Sequence, residues 1–363
     1  MSSELERRLE AMLAAAPEPD PGAAEEALHR ALQALRPVPA PRRGMRTAVL
    51  VSAAAVVLLV IAAGSLAGAG ALHVSLGTKT KLPPATKHLS LPPGANGIAA
   101  IVDGRLSVVI RGGFRLQGLT ASAAALSPHA LYIAVGIGRS LVAMAPTGRR
   151  AWSHPAGGKV VAIAWAPNGL RIAYIVRDGR RFVLHTIYGN GKPGTDRVID
   201  RSVRAVTPSW RADSLALAYV GAGGHAVVYD LAHLSRNVLA RPTAVTHVAF
   251  APRGKTLALG TLGSAGVSGK TVATGDIEAL GWRPDNQLEV ALEMGVKPAL
   301  VTTFKPNGGP LRGFRVPGRV IGISGGFVVT RRLDRLVAGW RQPNARTVLR
   351  VKPAASVRAL DIG

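Results

Sequence analysis

No cysteine occurs anywhere in the 363 residues. That absence excludes disulfide bonds, thiolate zinc sites, cysteine nucleophiles and the lipid-attachment cysteine of a bacterial lipoprotein signal. Acidic residues are also scarce, 20 Asp and Glu against 45 Lys and Arg, for a net charge of +25. The deficit is local. Through Arg46 the two signs balance at seven each, whereas from residue 47 onward 38 cations face 13 acids, so the whole excess lies on the larger part. Such a field attracts nucleic acid, anionic headgroups or acidic polymers, although charge alone carries little specificity. The nine His show no H-x-H, HExxH or paired-ligand spacing, which argues against zinc.

One stretch lacks charge altogether. Residues 47–72, TAVLVSAAAVVLLVIAAGSLAGAGAL, run 26 residues without a charged side chain. Roughly 20 helical residues cross the hydrocarbon core of a bilayer, so this run is predicted to be a transmembrane helix. Arg42, Arg43 and Arg46 precede it directly, which predicts a cytoplasmic N-terminus, an extracytoplasmic remainder and a single pass through the plasma membrane. A cleaved signal peptide is the alternative, because Ala69-Gly70-Ala71 is small-residue cleavage chemistry and Arg42-Arg43 resembles a twin-arginine signal. The length of the apolar run and of the tail before it argue for the anchor.

Residues 1–46 read as a cytoplasmic tail. Leu5, Leu9, Met12 and Leu13 share a face of one predicted helix over 3–16, and Ala24, Ala27, Leu28, Ala31, Leu32 and Leu35 share a face of a second over 23–35. Two such helices bury too little to fold alone, so they pair with each other or with a cytoplasmic partner. Pro37, Pro39 and Pro41 form a stiff spacer. Residues 73–95, with Pro83, Pro84, Pro92 and Pro93, read as a stalk leading to a domain over 96–363.

In that domain a motif recurs: ALSPHALYIAV at Pro128, AWAPNGLRIAY at Pro167, SWRADSLALAY at Ala212, AFAPRGKTLAL at Pro252 and GWRPDNQLEVAL at Pro284, at intervals of 39, 45, 40 and 32 residues. Two residues before each aligned position stands an inward hydrophobic: Leu126, Trp165, Trp210, Phe250 or Trp282. A tight turn follows, set by Pro with Asp, Asn or Gly nearby. Then comes an alternating strand such as Ile172-Ala173-Tyr174 or Leu217-Ala218-Tyr219, whose small residues between large ones suit sheets stacked face to face. A third strand is predicted at 140–145, 181–186, 226–231 and 298–304. A period of about 40 residues with four strands is the pattern of a β-propeller blade.

These turns resemble the "SPDG" turn of TolB-like and WD-repeat-like propellers over residues 97–362. His129, Ala212 and Arg253 depart from it, and the Gly-His and Trp-Asp marks of true WD repeats are missing, so the resemblance implies architecture rather than a ligand. Two weaker blades complete the count. Residues 318–351 offer four strands around Gly325-Gly326, and residues 97–119 offer three. The fourth strand of the latter is predicted at 356–362, SVRALDI, pairing beside Ile98–Val102 and closing the ring. The fold class is therefore all-β, a propeller of about seven four-stranded blades with six the alternative, preceded by a short helical tail and one transmembrane helix.

No catalytic constellation emerges. Residues 264–271, SAGVSGKT, nearly match a phosphate-binding loop but lack its first Gly and its strand-to-helix context. Gly322-Ile-Ser324-Gly-Gly326 fits a nucleophile elbow formally, yet no His follows Ser324. His225, Tyr229, Asp230 and His233 are close in sequence, but on one straight strand Asp230 faces away from the others. The best candidate is geometric. First turns and third-to-fourth-strand loops emerge on one face of a propeller, which places Arg149, Arg150, Lys192, Arg211, Arg236, Arg253 and Arg283 on a common basic rim. The reading is a membrane-anchored, extracytoplasmic, non-enzymatic scaffold or sensor without cofactor or metal. Its expected partners are the bilayer through residues 47–72 and an envelope protein or anionic polymer, with no specific nucleic acid. The alternatives are a transmembrane signalling regulator with the layout of membrane-bound anti-sigma factors, and a hydrolase.

Overall fold

The computed structural model describes residues 91–363 apart from 112–113, 295–297, 325–326, 333–334, 340–345, 351–355 and 363. The tail, the apolar run and most of the stalk lie outside the described residues. Among the described residues no helix is long and apolar enough to cross a membrane.

Seven four-stranded antiparallel sheets make up the domain. Blade 1 is Val357–Ile362, Gly97–Val102, Arg105–Ile110 and Phe114–Thr120; blade 2 is Ala123–Leu126, Ile133–Ile137, Ser140–Met144 and Arg150–Pro155. Blade 3 is Lys159–Trp165, Arg171–Asp178, Arg181–Tyr188 and Arg197–Asp200; blade 4 is Ser209–Trp210, Ala216–Val220, Ala226–Asp230 and Ser235–Val238. Blade 5 is His247–Phe250, Leu257–Gly260, Ser264–Val267 and Lys270–Thr274; blade 6 is Ile277–Trp282, Leu288–Leu292, Ala299–Phe304 and Pro310–Val316; blade 7 is Arg319–Ser324, Phe327–Arg332, Arg335–Gly339 and Arg346–Arg350. The first strand of every blade lies against the first strand of the next, from blade 1 round to blade 7 and back, so these are the inner strands of a closed seven-membered ring.

Closure is made by the chain's end. Val357–Ile362 pairs antiparallel with Gly97–Val102 in the register Ile98↔Ile362 and Ala100↔Leu360. Asp103 Oδ1 accepts the Ser356 N–H at 2.7 Å, fixing the strand where it enters. The seven-blade count holds and the six-blade alternative falls.

The alternating repeat strands explain the stacking. In blade 3, Ile172 and Tyr174 join a core with blade 2, while Ala173 and Ile175 between and beyond them join a core with blade 4. Leu217 and Tyr219 return that contact from blade 4, and Ala218 and Val220 face blade 5. Period two thus gives each sheet two apolar faces, and each pair of neighbouring blades shares its own buried cluster. Of the repeat's inward residues, Leu126, Trp210, Phe250 and Trp282 are buried, and Trp165 is half-buried.

The turns obey one rule. The residue two after each aligned position has positive φ: Ala130 at 55°, Gly169 at 77°, Ser214 at 62°, Gly254 at 78° and Asn286 at 67°. In four of them that residue's N–H closes on the carbonyl three back, as in Gly169 to Ala166 at 2.8 Å and Asn286 to Arg283 at 2.9 Å. This conformation reverses the chain within four residues and delivers every first turn to the same end of its blade.

Candidate functional site

The first turns meet their neighbours across blade boundaries. Asn168 N–H donates to Ser214 Oγ at 3.1 Å between blades 3 and 4, and Arg253 N–H donates to Asn286 Oδ1 at 3.2 Å between blades 5 and 6. Third-to-fourth-strand loops join the same face: Trp152 Nε1–H donates to Gly189 O at 3.0 Å, and Leu231 N–H to Leu215 O at 2.8 Å. The chain also enters the propeller here, because a Cβ on Gly97 would stand 3.2 Å from Ala130 Cβ in the first turn of blade 2.

The seven cations expected on this rim divide into two groups. Arg149, Arg150, Lys192 and Arg253 are exposed and have no ion-pair partner among the described residues. The other three are ion-paired within the fold, although Arg236 stays exposed. Arg211 Nε donates to both Asp213 oxygens at 2.9 Å, and its guanidinium lies 3.8 Å from Asp230, leaving the side chain 13% exposed. Arg236 pairs with Asp200 at 3.1 Å and donates to the Tyr219 hydroxyl at 3.3 Å. That hydrogen bond, with the neighbouring carboxylate, raises its pKa against the cost of burial. Arg283 is buried, held by Asp285 at 3.0 Å with Glu289 at 3.8 Å beneath it, and is withdrawn from the rim surface. The cause is the turn: in Arg211-x-Asp213 and Arg283-x-Asp285 the reversal folds the Asp back onto the Arg. Arg253 has Lys255 at the corresponding position and stays free.

Exposed apolar side chains share this face. Leu131 and Tyr132, in the first turn of blade 2, are 63% and 45% exposed, and Leu170 in that of blade 3 is 41% exposed. The two turns adjoin, since a Cβ at Gly169 would lie 4.0 Å from the Pro128 ring. Every described acid on this face is already bonded: Asp196 to Tyr174, Asp213 to Arg211, Asp230 to His233, Asp285 to Arg283, and Asp361 to Leu126 N–H. What remains for a partner is therefore cationic and apolar.

A polar cluster between blades 2 and 3 was not visible in the sequence. Tyr174 donates to Asp196 Oδ1 at 2.6 Å, His185 Nδ1 lies 3.2 Å from Asp196 Oδ2, and His154 Nε2 lies 3.6 Å from the same oxygen. Tyr174 stacks on His185 with ring centroids 5.0 Å apart. Burial pushes the Asp196 carboxyl up, but hydrogen bonds from His185 and Tyr174 and the histidine charges outweigh it, so its pKa falls below the ordinary carboxylate value. Burial and that same carboxylate raise the Tyr174 phenol well above its usual range. The members come from three strands and a loop, at separations no short motif covers.

Among the described residues no group of three or more His, Asp or Glu is arranged to hold a metal. Asp230 and His233 correct the straight-strand expectation. The strand ends at Asp230, the chain turns, and His233 Nδ1 comes back to 3.1 Å from its carboxylate. Residues 264–271 form a hairpin, Ser264–Val267 against Lys270–Thr274, with no helix to complete a phosphate loop. Ser324 ends an inner strand and donates to Asp361 at 3.1 Å.

No protein-family model and no curated protein matches the chain. Among solved structures it is similar to TolB from Acinetobacter baumannii, with 13% sequence identity, a TM-score of 0.46, and coverage of 75% of this chain and 68% of that one.

Proposed function

We propose that this protein is a membrane-anchored propeller whose first-turn face is a non-enzymatic docking surface in the cell envelope, acting as scaffold or sensor for an envelope protein or an anionic polymer. The observation that carries the reading is the residue set left on that face. Arg149, Arg150 and Lys192 on blades 2 and 3 and Arg253 on blade 5 are exposed and unpaired among the described residues, Leu131, Tyr132 and Leu170 are exposed in the first turns of blades 2 and 3, and the acids of this face are already bonded. Exposed apolar groups on one face with arginine give affinity and orientation together, which a uniformly solvated rim does not. The anchor rests on the uncharged run 47–72 behind Arg42, Arg43 and Arg46, which orients the propeller outside the cytoplasm. The non-enzymatic reading is supported by the fates of the two motif-like segments, a hairpin and a strand end bonded to Asp361.

The test compares captures by the full chain and by a variant carrying Arg149→Glu, Arg150→Glu and Arg253→Glu, from membrane extracts. Envelope partners or acidic polymers retained by the first and lost by the second support the reading. Capture that survives the reversal but requires residues 1–46 would assign the function to the tail and favour the signalling regulator. A reporter fused after Gly363 that is active only in the cytoplasm would overturn the topology.

A further inference from the structure

On the face opposite the first turns the inner ring opens into a cavity of about 470 Å³. Its wall includes Ser356, Ser122, Lys159 and Ala205, which lead into or begin the inner strands of blades 1 to 4, so it is a mouth of the central channel. Within it Lys159 and Arg177 are direct partners across the first two strands of blade 3. Directly opposed residues on an antiparallel pair hold their Cβ atoms about 4.5–5.5 Å apart, and like charges there destabilise the sheet. Both side chains are exposed to the cavity, and neither has an ion-pair partner among the described residues. Arg177 Nε donates to Gly179 O at 3.2 Å, which fixes the guanidinium plane and leaves its terminal nitrogens available. The cavity's one lining acid, Asp103, is turned to the closure strand, accepting from Ser356 N–H at 2.7 Å and from Ser356 Oγ at 3.3 Å. Ile101, Val161 and Phe182 supply an apolar wall beside the two cations, with Phe182 paired across the ladder from Arg177.

Two adjacent cations, kept together at a cost and open to a partly apolar cavity, have no carboxylate in ion-pair contact among the described residues. The geometry points to a binding site for a small organic oxyanion, a phosphate monoester or carboxylate, with its anionic group between Lys159 and Arg177 and its apolar body on Phe182 and Val161. Arg supplies a planar fork for such a group and Lys a point charge, and both hydrogen bonds are charge-assisted. The site is separate from the first-turn face and does not depend on the function proposed for it.

The experiment measures the melting temperature of the full-length protein, solubilised in nonionic detergent, against phenyl phosphate, benzoate, inorganic phosphate and chloride at matched ionic strength. A ligand that binds only the folded state raises the melting temperature in proportion to the logarithm of its concentration above Kd. Phenyl phosphate or benzoate is expected to give a saturable shift beyond that of chloride, and the stronger of the two identifies the oxyanion. Lys159→Met and Arg177→Met should each weaken binding about tenfold or more, the loss of one charge-assisted contact. Because each also removes like-charge repulsion, each should melt at or above the wild-type temperature without ligand. Arg181→Met, a nearby exposed cation outside the cavity, should bind as the parent does. Equal shifts in parent and cavity variants, equal losses in Arg181→Met, or no shift beyond chloride with any probe would each overturn the site.

Discussion

The carboxylate of Asp361 accepts the backbone N–H of Leu126 at 2.8 Å, joining the last strand of the chain to the inner strand of blade 2. Its other oxygen takes the Ser324 hydroxyl from blade 7. One side chain thus holds blade 1 to both neighbours, and the remaining boundaries have equivalents from inner-strand segments. Ser122 Oγ donates to Val160 O, Trp210 Nε1–H to Ala164 O and Trp282 Nε1–H to Ala249 O, while Ser209 Oγ accepts from Phe250 N–H and Glu278 from Val320 N–H. Every boundary in the ring is stapled near its axis by a side chain, where main-chain ladders do not reach from one blade to the next.

Asp361 therefore distinguishes a closed ring from a row of sheets. Deleting residues 355–363 should strip the edge of Gly97–Val102 and cause aggregation, because an unpaired apolar edge is a template for other chains. Asp361→Ala keeps the strand but removes both staples and leaves the Leu126 N–H unsatisfied, so it should cost about 3–4 kcal/mol, two hydrogen bonds to a charged group at the low end of their range. Equilibrium denaturation of the point variant and light scattering of the truncation check this. Parent-like behaviour in both would mean that the C-terminal strand carries no closure energy.

The indoles test the stapling separately from core volume. Trp210→Ala and Trp282→Ala should each lose about 3–5 kcal/mol as buried large-to-small changes. Trp282→Phe retains most of the apolar contact and loses only the bond to Ala249 O, so it should lose about 1 kcal/mol. Trp165→Ala should be milder than either, since its ring is half-buried and its N–H donates within its own turn to Gly169 O at 2.9 Å. Denaturant midpoints that rank Trp165 above the other two would reverse this assignment.

The blades were legible because the repeat writes its physics into contiguous residues. Pro-Asn-Gly-Leu-Arg-Ile-Ala-Tyr at 167–174 contains the turn, its left-handed position and both faces of a strand. Closure was legible for the same reason, as three strands at one end and one at the other complete a blade. The fates of the charges were less so. Asp213 and Asp285 read as turn formers, and only the folded turn shows that each also neutralises the Arg two residues before it. Asp196 gathers His154, Tyr174 and His185 across a blade boundary with no spacing to signal it, and the cross-strand pairing of Lys159 with Arg177 needs the register of blade 3.

Arg283 illustrates the consequence for stability. It lies over Glu289, whose side chain is fully buried, and also holds Asp285. Removing one partner of a buried ion pair leaves an uncompensated charge, so Arg283→Met should cost about 3–5 kcal/mol. The double variant Arg283→Met with Glu289→Leu should recover most of that loss. A double variant no more stable than Arg283→Met in urea denaturation would show that Glu289 is not the group Arg283 compensates.

Acid sensitivity in the mildly acidic range should centre on His247. It begins the inner strand of blade 5, its Nδ1 lies 3.0 Å from Thr246 Oγ1, and burial lowers its pKa from 6.5 despite an opposing backbone interaction with Glu278. A histidine with a depressed folded pKa binds its proton more readily in the unfolded chain. Stability is then independent of this group above the ordinary value of 6.5 and falls as pH drops below it, levelling off once the folded-state pKa is passed. Glu278 acts in the opposite sense: burial raises its pKa from 4.5, so its protonation relieves a cost as pH falls, and the window for His247 opens just below its ordinary value of 6.5. Urea denaturation across that window should show the parent losing stability toward acid, and His247→Gln, which cannot titrate, should flatten the loss. A variant that retained the full slope would place the proton uptake on another group.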